Sequence, residues 1–134
     1  MKIHKLVILV VVVMILSVLA CEGNFSTAGI SSAILSADED GAQETTMFAQ
    51  EDTFYCIVTL ANAPDDTTLK AAWTLIEAEG QEPDQLIDEV ETTADGKNVF
   101  TFNLTNEQLW PPGKYKIDLY LNGTLDRTLE FEVQ

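Results

Sequence analysis

The chain is poor in the residues that most often carry chemistry. It has one histidine, two cysteines, and seven lysines and arginines against 22 aspartates and glutamates. The histidine, His4, lies in an apolar N-terminal segment, and residues 21–134 hold no other. Ser-His-Asp and Cys-His catalysis, and histidine-ligated zinc or iron, are therefore excluded from that stretch. There is no Cys-x-x-Cys pair, no glycine-rich phosphate loop and no Walker motif. One cysteine, Cys21, closes the N-terminal segment, so Cys56 has no partner inside the remaining domain. Without a disulfide, the fold must rest on its apolar core. Net charge is −15, the opposite of a basic nucleic-acid footprint, and it opposes adhesion to anionic lipid. Such a surface suits a soluble, non-aggregating domain and favours cationic partners. No cofactor, metal or nucleic acid is expected.

The longest apolar run is Leu6–Ala20, behind the positive residues Lys2, His4 and Lys5. A helix rising ~1.5 Å per residue needs roughly 20 residues to cross ~30 Å of hydrocarbon, so this run is short for a permanent span. A positive start, an apolar stretch and a small-residue end form an export segment, which is set aside in fold reasoning. Its end, Val18-Leu19-Ala20-Cys21, resembles the lipobox of bacterial lipoproteins, with Leu19 bulkier than the usual residue there. The resemblance implies cleavage after Ala20 and a diacylglyceryl group on the Cys21 thiol. Two other readings use the same residues: ordinary secretory cleavage after Ala20, and an uncleaved anchor. Lipid on Cys21 would anchor the chain stably, because each buried CH₂ contributes ~0.8 kcal/mol and more than one acyl chain is present. Loss of Lys2 and Lys5 with the segment would take the net charge from −15 to −17.

The expected organisation is a signal segment over 1–20, a lipidated cysteine and polar tether over 21–29, and one domain over 30–134. Within that domain apolar residues recur with period two between Gly, Pro, Asn and Asp clusters, which is strand-and-turn patterning. Seven strands are expected, at Ile30–Ala37, Thr53–Ala61, Thr68–Glu77, Gln85–Thr93, Asn98–Thr105, Lys114–Leu121 and Leu125–Val133, in an antiparallel all-β sandwich. Alternation assigns Phe54, Cys56, Val58 and Leu60 to the core, with Leu69, Ala71, Trp73 and Leu75 from the third strand. Phe100, Phe102 and Leu104 follow from the fifth, and Tyr115, Ile117, Leu119 and Leu121 from the sixth. The last strand supplies Leu125, Leu129, Phe131 and Val133. Gln85–Thr93 mixes Leu86, Val90 and Thr92 with Asp88, Glu89 and Glu91, the composition of a charge-protected edge. In the final hairpin a two-residue Asn122-Gly123 turn would oppose Leu121 to Thr124 and Leu119 to Asp126, apolar against polar. A three-residue loop with a left-handed Gly123 is expected instead.

Cys56 and Trp73 resemble the strand-B cysteine and strand-C tryptophan of immunoglobulin-like domains. Leu109-Trp110-Pro111-Pro112-Gly113-Lys114-Tyr115 is similar to their E–F turn and tyrosine corner, and Ile117 stands where the second cysteine would be. The tail from Lys114 to Val133 is similar to the last hairpin of bacterial immunoglobulin-like and fibronectin-III-like surface domains. The resemblance implies a sandwich over roughly residues 30–134, with Trp73 central and the Tyr115 hydroxyl tied to nearby backbone. That superfold hosts many unrelated functions.

The acidic clusters read first as solvated turns. Asp38-Glu39-Asp40-Gly41 has the look of a calcium loop but lacks the downstream ligand spacing, which Glu51 does not restore. Asp65-Asp66 and the segment from Glu77 to Asp84 read as turns. A pair of carboxylates could in principle serve a glycosidase, though a small sandwich offers little room for a cleft. Asn24, Asn103 and Asn122 open sequons. The remaining hints of recognition are outward-facing Tyr55 and Ile57 on one sheet and Ile76 and Tyr120 on the other. The expectation is a non-catalytic, lipid-anchored binding or structural module on the extracytoplasmic side of the cell membrane or outer membrane. Its partners would be the membrane, through the N-terminal lipid, and an envelope protein or glycan. An accessory subunit of an envelope transport or secretion assembly, docked by strand pairing, is the second reading, and a small carbohydrate-active protein the third.

Overall fold

The structure is a computed structural model and describes residues 28–134. The signal segment, Cys21 and most of the tether lie outside the described residues. Two sheets make up the domain, and no helix occurs among the described residues. The smaller sheet has the order β1-β3-β6, with β1 Gly29–Ser36, β3 Phe54–Ala61 and β6 Val99–Leu104. The larger has the order β2-β8-β7-β4-β5, with β2 Met47–Phe48, β4 Thr68–Ala78, β5 Gln85–Thr93, β7 Gly113–Leu121 and β8 Thr124–Val133.

The described residues form eight strands rather than seven, and one pairing among them is parallel. The extra strand, β2, is two residues long and runs parallel to the end of β8, with Met47 opposite Glu132 and Phe48 opposite Val133. Two residues cannot display a period, so nothing in the local pattern announces β2. Its anchor is Phe48, buried between Phe54 at 4.9 Å and Phe131 at 5.3 Å, both edge-on.

Period-two alternation places the core. Phe54, Cys56, Val58 and Leu60 are buried along β3, and Leu69, Ala71, Trp73 and Leu75 along β4. Phe54 is the hub between the sheets: Trp110 stacks on it at 4.7 Å, Phe131 stands edge-on at 4.8 Å and Tyr115 at 5.8 Å. Burying one such ring contributes ~1.5–3 kcal/mol, and aromatic pairs add ~0.5–1.5 kcal/mol. Three of the residues assigned inward on the last hairpin lie less deeply: Leu121 and Leu129 are half-buried, and Leu125 is 51% exposed.

The final hairpin corrects the expected three-residue loop. Asn122 and Gly123 have φ of 51° and 81°, and Leu121 pairs directly with Thr124, so the turn has two residues. Tyr120 pairs with Leu125 but Leu119 with Arg127, leaving Asp126 as an extra residue on β8. That bulge moves the register by one, so Ile117 meets Leu129 and Tyr115 meets Phe131. The turn chemistry prevails, and the bulge restores apolar-to-apolar pairing a few residues later. Leu125, on the turn side of the bulge, is left outside.

Candidate functional site

The tyrosine corner is formed. The Tyr115 hydroxyl donates to the Pro111 carbonyl at 2.6 Å, and burial pushes its pKa up to about 12. Gly113 stands where β7 leaves this corner beside β4. A Cβ there would overlap the Glu77 carbonyl oxygen and lie 2.8 Å from Ala78 Cβ. Trp110, at the same corner, donates its indole N–H to the Asp52 carbonyl at 3.0 Å, while Gln50 Nε2 donates to the Trp110 carbonyl at 2.9 Å. These bonds pin the segment between β2 and β3 to the segment before β7. Trp73 and Ile117 are fully enclosed and lie opposite one another on β4 and β7. The Trp73 indole N–H has no hydrogen-bond partner among the described residues. Cys56 is buried as a free thiol, and desolvation pushes its pKa up to about 12, the environment of an inert core sulfur.

The Asp38–Gly41 loop is a cover for sheet residues. Asp38 accepts hydrogen bonds from the Ser36 hydroxyl and from the amides of Gln43 and Ala42. The Ser36 bond, then the Gln43 amide, hold its carboxyl below the ordinary range. Gly41, at φ 77°, lies against Ile57 and Ile34, whose Cδ1 atoms would be 2.8 and 3.1 Å from an added Cβ. Ile34 pairs with Ile57 on the outer face of the smaller sheet. Of the predicted outward pair, Ile57 is thus partly roofed by the loop, and Tyr55 remains half-buried beside Ser36 and Asn103. No group of three or more acidic, cysteine or histidine residues with metal-binding geometry occurs among the described residues.

Ile76 and Tyr120 are not neighbours, so the second predicted patch does not exist as a unit. Ile76 is the extra residue of a bulge in β4, between the Leu75–Tyr115 and Glu77–Lys114 pairs, whereas Tyr120 lies opposite Lys70 near the other end of β4. Lys70 Nζ sits 4.4 Å from the centre of the Tyr120 ring, which occupies that face of the tyrosine. Ile76 lines a shallow groove of about 490 Å³ with Met47, Glu77, Lys114, Glu130 and Glu132. Lys114 pairs there with Glu77 at 3.5 Å, an exposed pair contributing ~0–1 kcal/mol.

A further surface did not stand out from alternation. The larger sheet extends past the smaller one at β5. Val90 pairs with Ala71 and shares its core-facing side, yet Ala71 is fully buried and Val90 is 42% exposed. A groove of about 400 Å³ runs between the end of β5 and the start of β6, lined by Thr92, Thr93, Lys97, Val99, Phe100 and Thr101. The signal available in the sequence was Val90 and Thr92 on the same face of a charged strand; which strand would stand opposite them depends on sheet order.

No family profile and no characterised protein sequence matches the chain. Solved structures do resemble it in fold. An immunoglobulin-like protein of Pseudomonas aeruginosa superposes with a TM-score of 0.54 at 17% identity, over 84% of this chain and 100% of that one. The alkylpurine DNA glycosylase AlkC of Pseudomonas fluorescens, bound to DNA containing an abasic site analogue, gives 0.51 at 12% identity over 81% of this chain. A β-glucosidase involved in saponin metabolism, from intestinal bacteria, gives 0.52 at 14% identity over 82% of this chain. The chain spans only 31% of the glycosylase and 16% of the glucosidase. At these identities the likeness is one of fold, and the fold is an immunoglobulin-like β-sandwich.

Proposed function

We propose that the chain is a lipid-anchored, non-catalytic binding or structural module of the cell envelope, held at Cys21 and displayed on the extracytoplasmic side. The observation that carries the binding part is apolar surface left uncovered where β5 overhangs the smaller sheet, with Val90 and Val99 exposed beside a groove of about 400 Å³. The buried polar side chains described above, Ser36 and Tyr115, serve to hold loops and corners, a structural use. Likeness over the full length of a single immunoglobulin-like protein supports the same reading, and a net charge of −15 speaks against a nucleic-acid role.

On this reading the residues between Cys21 and Gly29 form a tether of at most roughly 28 Å, at ~3.5 Å per residue. Gly29 pairs with Ala61, so the end carrying the β3–β4 and β5–β6 loops and the Asn122-Gly123 turn would face the membrane. The opposite end, with Glu79, Glu82, Asp84 and Glu107, would project outward. Membrane fractionation of cells carrying the wild type and Cys21→Ser tests the anchor. The variant is expected in the soluble extracytoplasmic fraction, and unchanged membrane retention would defeat the proposal. The accessory-subunit reading is favoured by one observation: among the described residues, no strand pairs with the outer edge of β6.

A further inference from the structure

The outer face of the larger sheet carries its charge unevenly. Near the Asn122-Gly123 turn the charges balance: Lys70 stands opposite Glu91 and lies over the Tyr120 ring. At the other end they do not. Phe131 and Val133 are buried, so alternation turns both Glu130 and Glu132 outward. Glu132 lies opposite Lys114, and Lys114 opposite Glu77, which sets Glu77 two strand spacings, or roughly 10 Å, from Glu132. Glu79 follows just beyond the end of β4.

Two adjoining grooves run through these residues. The one of about 490 Å³ is lined by Glu77, Glu130 and Glu132 together with Met47 and Ile76. The second, of about 450 Å³, shares Glu77, Lys114 and Glu132 and adds Glu79. Four glutamates thus face one lining cation, Lys114, which is already paired with Glu77 at 3.5 Å. Lys116, opposite Glu130, is drawn to Asp118 at 3.3 Å. Among the described residues no salt bridge reaches Glu79, Glu130 or Glu132. Met47 is 44% exposed and Ile76 half-buried, so the trough also offers apolar surface.

We infer that this trough holds an extended segment of a partner polypeptide with lysine or arginine at alternate positions. This rests on the binding-module reading and names its partner. Residues two apart in an extended chain lie ~7 Å apart on one side, which is also the spacing of Glu130 and Glu132 along β8. Successive basic side chains therefore meet successive carboxylates, and their aliphatic stems cover Met47 and Ile76. The trough lies at the end that carries Glu82, Asp84 and Glu107, whose summed charge steers a cationic segment toward it. A second copy of the chain supplies no such segment. The only alternating cations in residues 28–134, Lys114 and Lys116, belong to this same face and are held by Glu77 and Asp118.

Titration calorimetry of the detergent-solubilised protein with a hexapeptide alternating lysine and valine tests this. Glu130→Gln combined with Glu132→Gln should weaken binding by roughly tenfold or more. Glu89→Gln combined with Glu91→Gln makes the same charge change at the far end of the face, beyond a Debye length of ~8 Å, and should alter binding by less than about twofold. Lys114→Ala removes the competing cation and should tighten binding by about twofold or more. A peptide with its three lysines in one block, and spermine, should each bind at least about threefold more weakly, because neither matches the alternating carboxylates. No binding by the alternating peptide, equal weakening by both glutamine pairs, or equal binding by the block peptide or spermine would overturn the inference. If that occurs while Cys21→Ser still leaves the membrane, the trough fails as a site and the anchored module stands. Retention of Cys21→Ser with binding lost only on substitution of Glu130 and Glu132 strikes the anchor alone.

Discussion

The two tryptophans allow a sharp comparison, because both are buried and only one is hydrogen-bonded. Trp73 is 1% exposed and its indole N–H has no partner among the described residues, whereas Trp110 donates to the Asp52 carbonyl at 3.0 Å. Replacing either with phenylalanine removes roughly 40 Å³, a cavity cost of about 1 kcal/mol at ~24 cal/mol per Å³. In Trp73→Phe the substitution also removes an unsatisfied buried donor, which offsets part of that cost, so a net loss of about 0.5 kcal/mol is expected. Trp110→Phe adds the loss of a hydrogen bond worth ~1 kcal/mol and frees the Asp52 carbonyl, for a total of about 2 kcal/mol. Urea unfolding of the detergent-solubilised protein, followed by circular dichroism, reads both from the midpoint at constant slope. Trp73→Phe should be the milder substitution by at least ~1 kcal/mol. If it proves the more damaging, the assignment of the Trp73 N–H as unpaired is wrong.

Other expected outcomes can be checked alongside. Tyr115→Phe removes the bond to Pro111 and should cost ~1–1.5 kcal/mol in the same urea assay. Cys56 and Tyr115 both have folded pKa values raised to about 12, so the stability tied to their protonated forms is complete below their unfolded values, near ~9 and ~10. It is lost as pH climbs toward 12. The thermal midpoint should therefore fall above pH ~9, and Cys56→Ala should flatten the first part of that fall even if it lowers the neutral value. Gly113→Ala forces β7 away from Glu77 and Ala78 and should destabilise by ~1–3 kcal/mol in urea. Deleting Asp126 leaves a regular hairpin with the same pairs, Leu119 with Arg127, Ile117 with Leu129 and Tyr115 with Phe131, so cooperative unfolding in urea should survive; its loss would disprove the assignment of Asp126 as the extra residue.

Much of the architecture was legible because it depends on local alternation. The strands at Gln85–Thr93 and Thr68–Ala78 lie within one residue of their expected bounds, and Phe54, Cys56, Trp73, Tyr115 and Ile117 sit on the inward face that period two assigned them. What was hidden depends on distant partners. β2 exists because Phe48 reaches Phe54 and Phe131, which two residues of sequence cannot declare. In the last hairpin the mismatch set by a two-residue turn is corrected downstream by a bulge at Asp126, which no local pattern marks. Ile76 and Tyr120 were grouped by face alone, but they lie at different ends of β4, and Ile76 is itself a bulge residue.

The central claim is the one about Cys21, since it decides where the domain works. Mass spectrometry of the protein isolated from its native membranes measures it directly. The account predicts a first residue at Cys21 carrying a thioether-linked diacylglyceryl group. A chain that still begins at Met1, or one that starts at Cys21 with a free thiol, would contradict it.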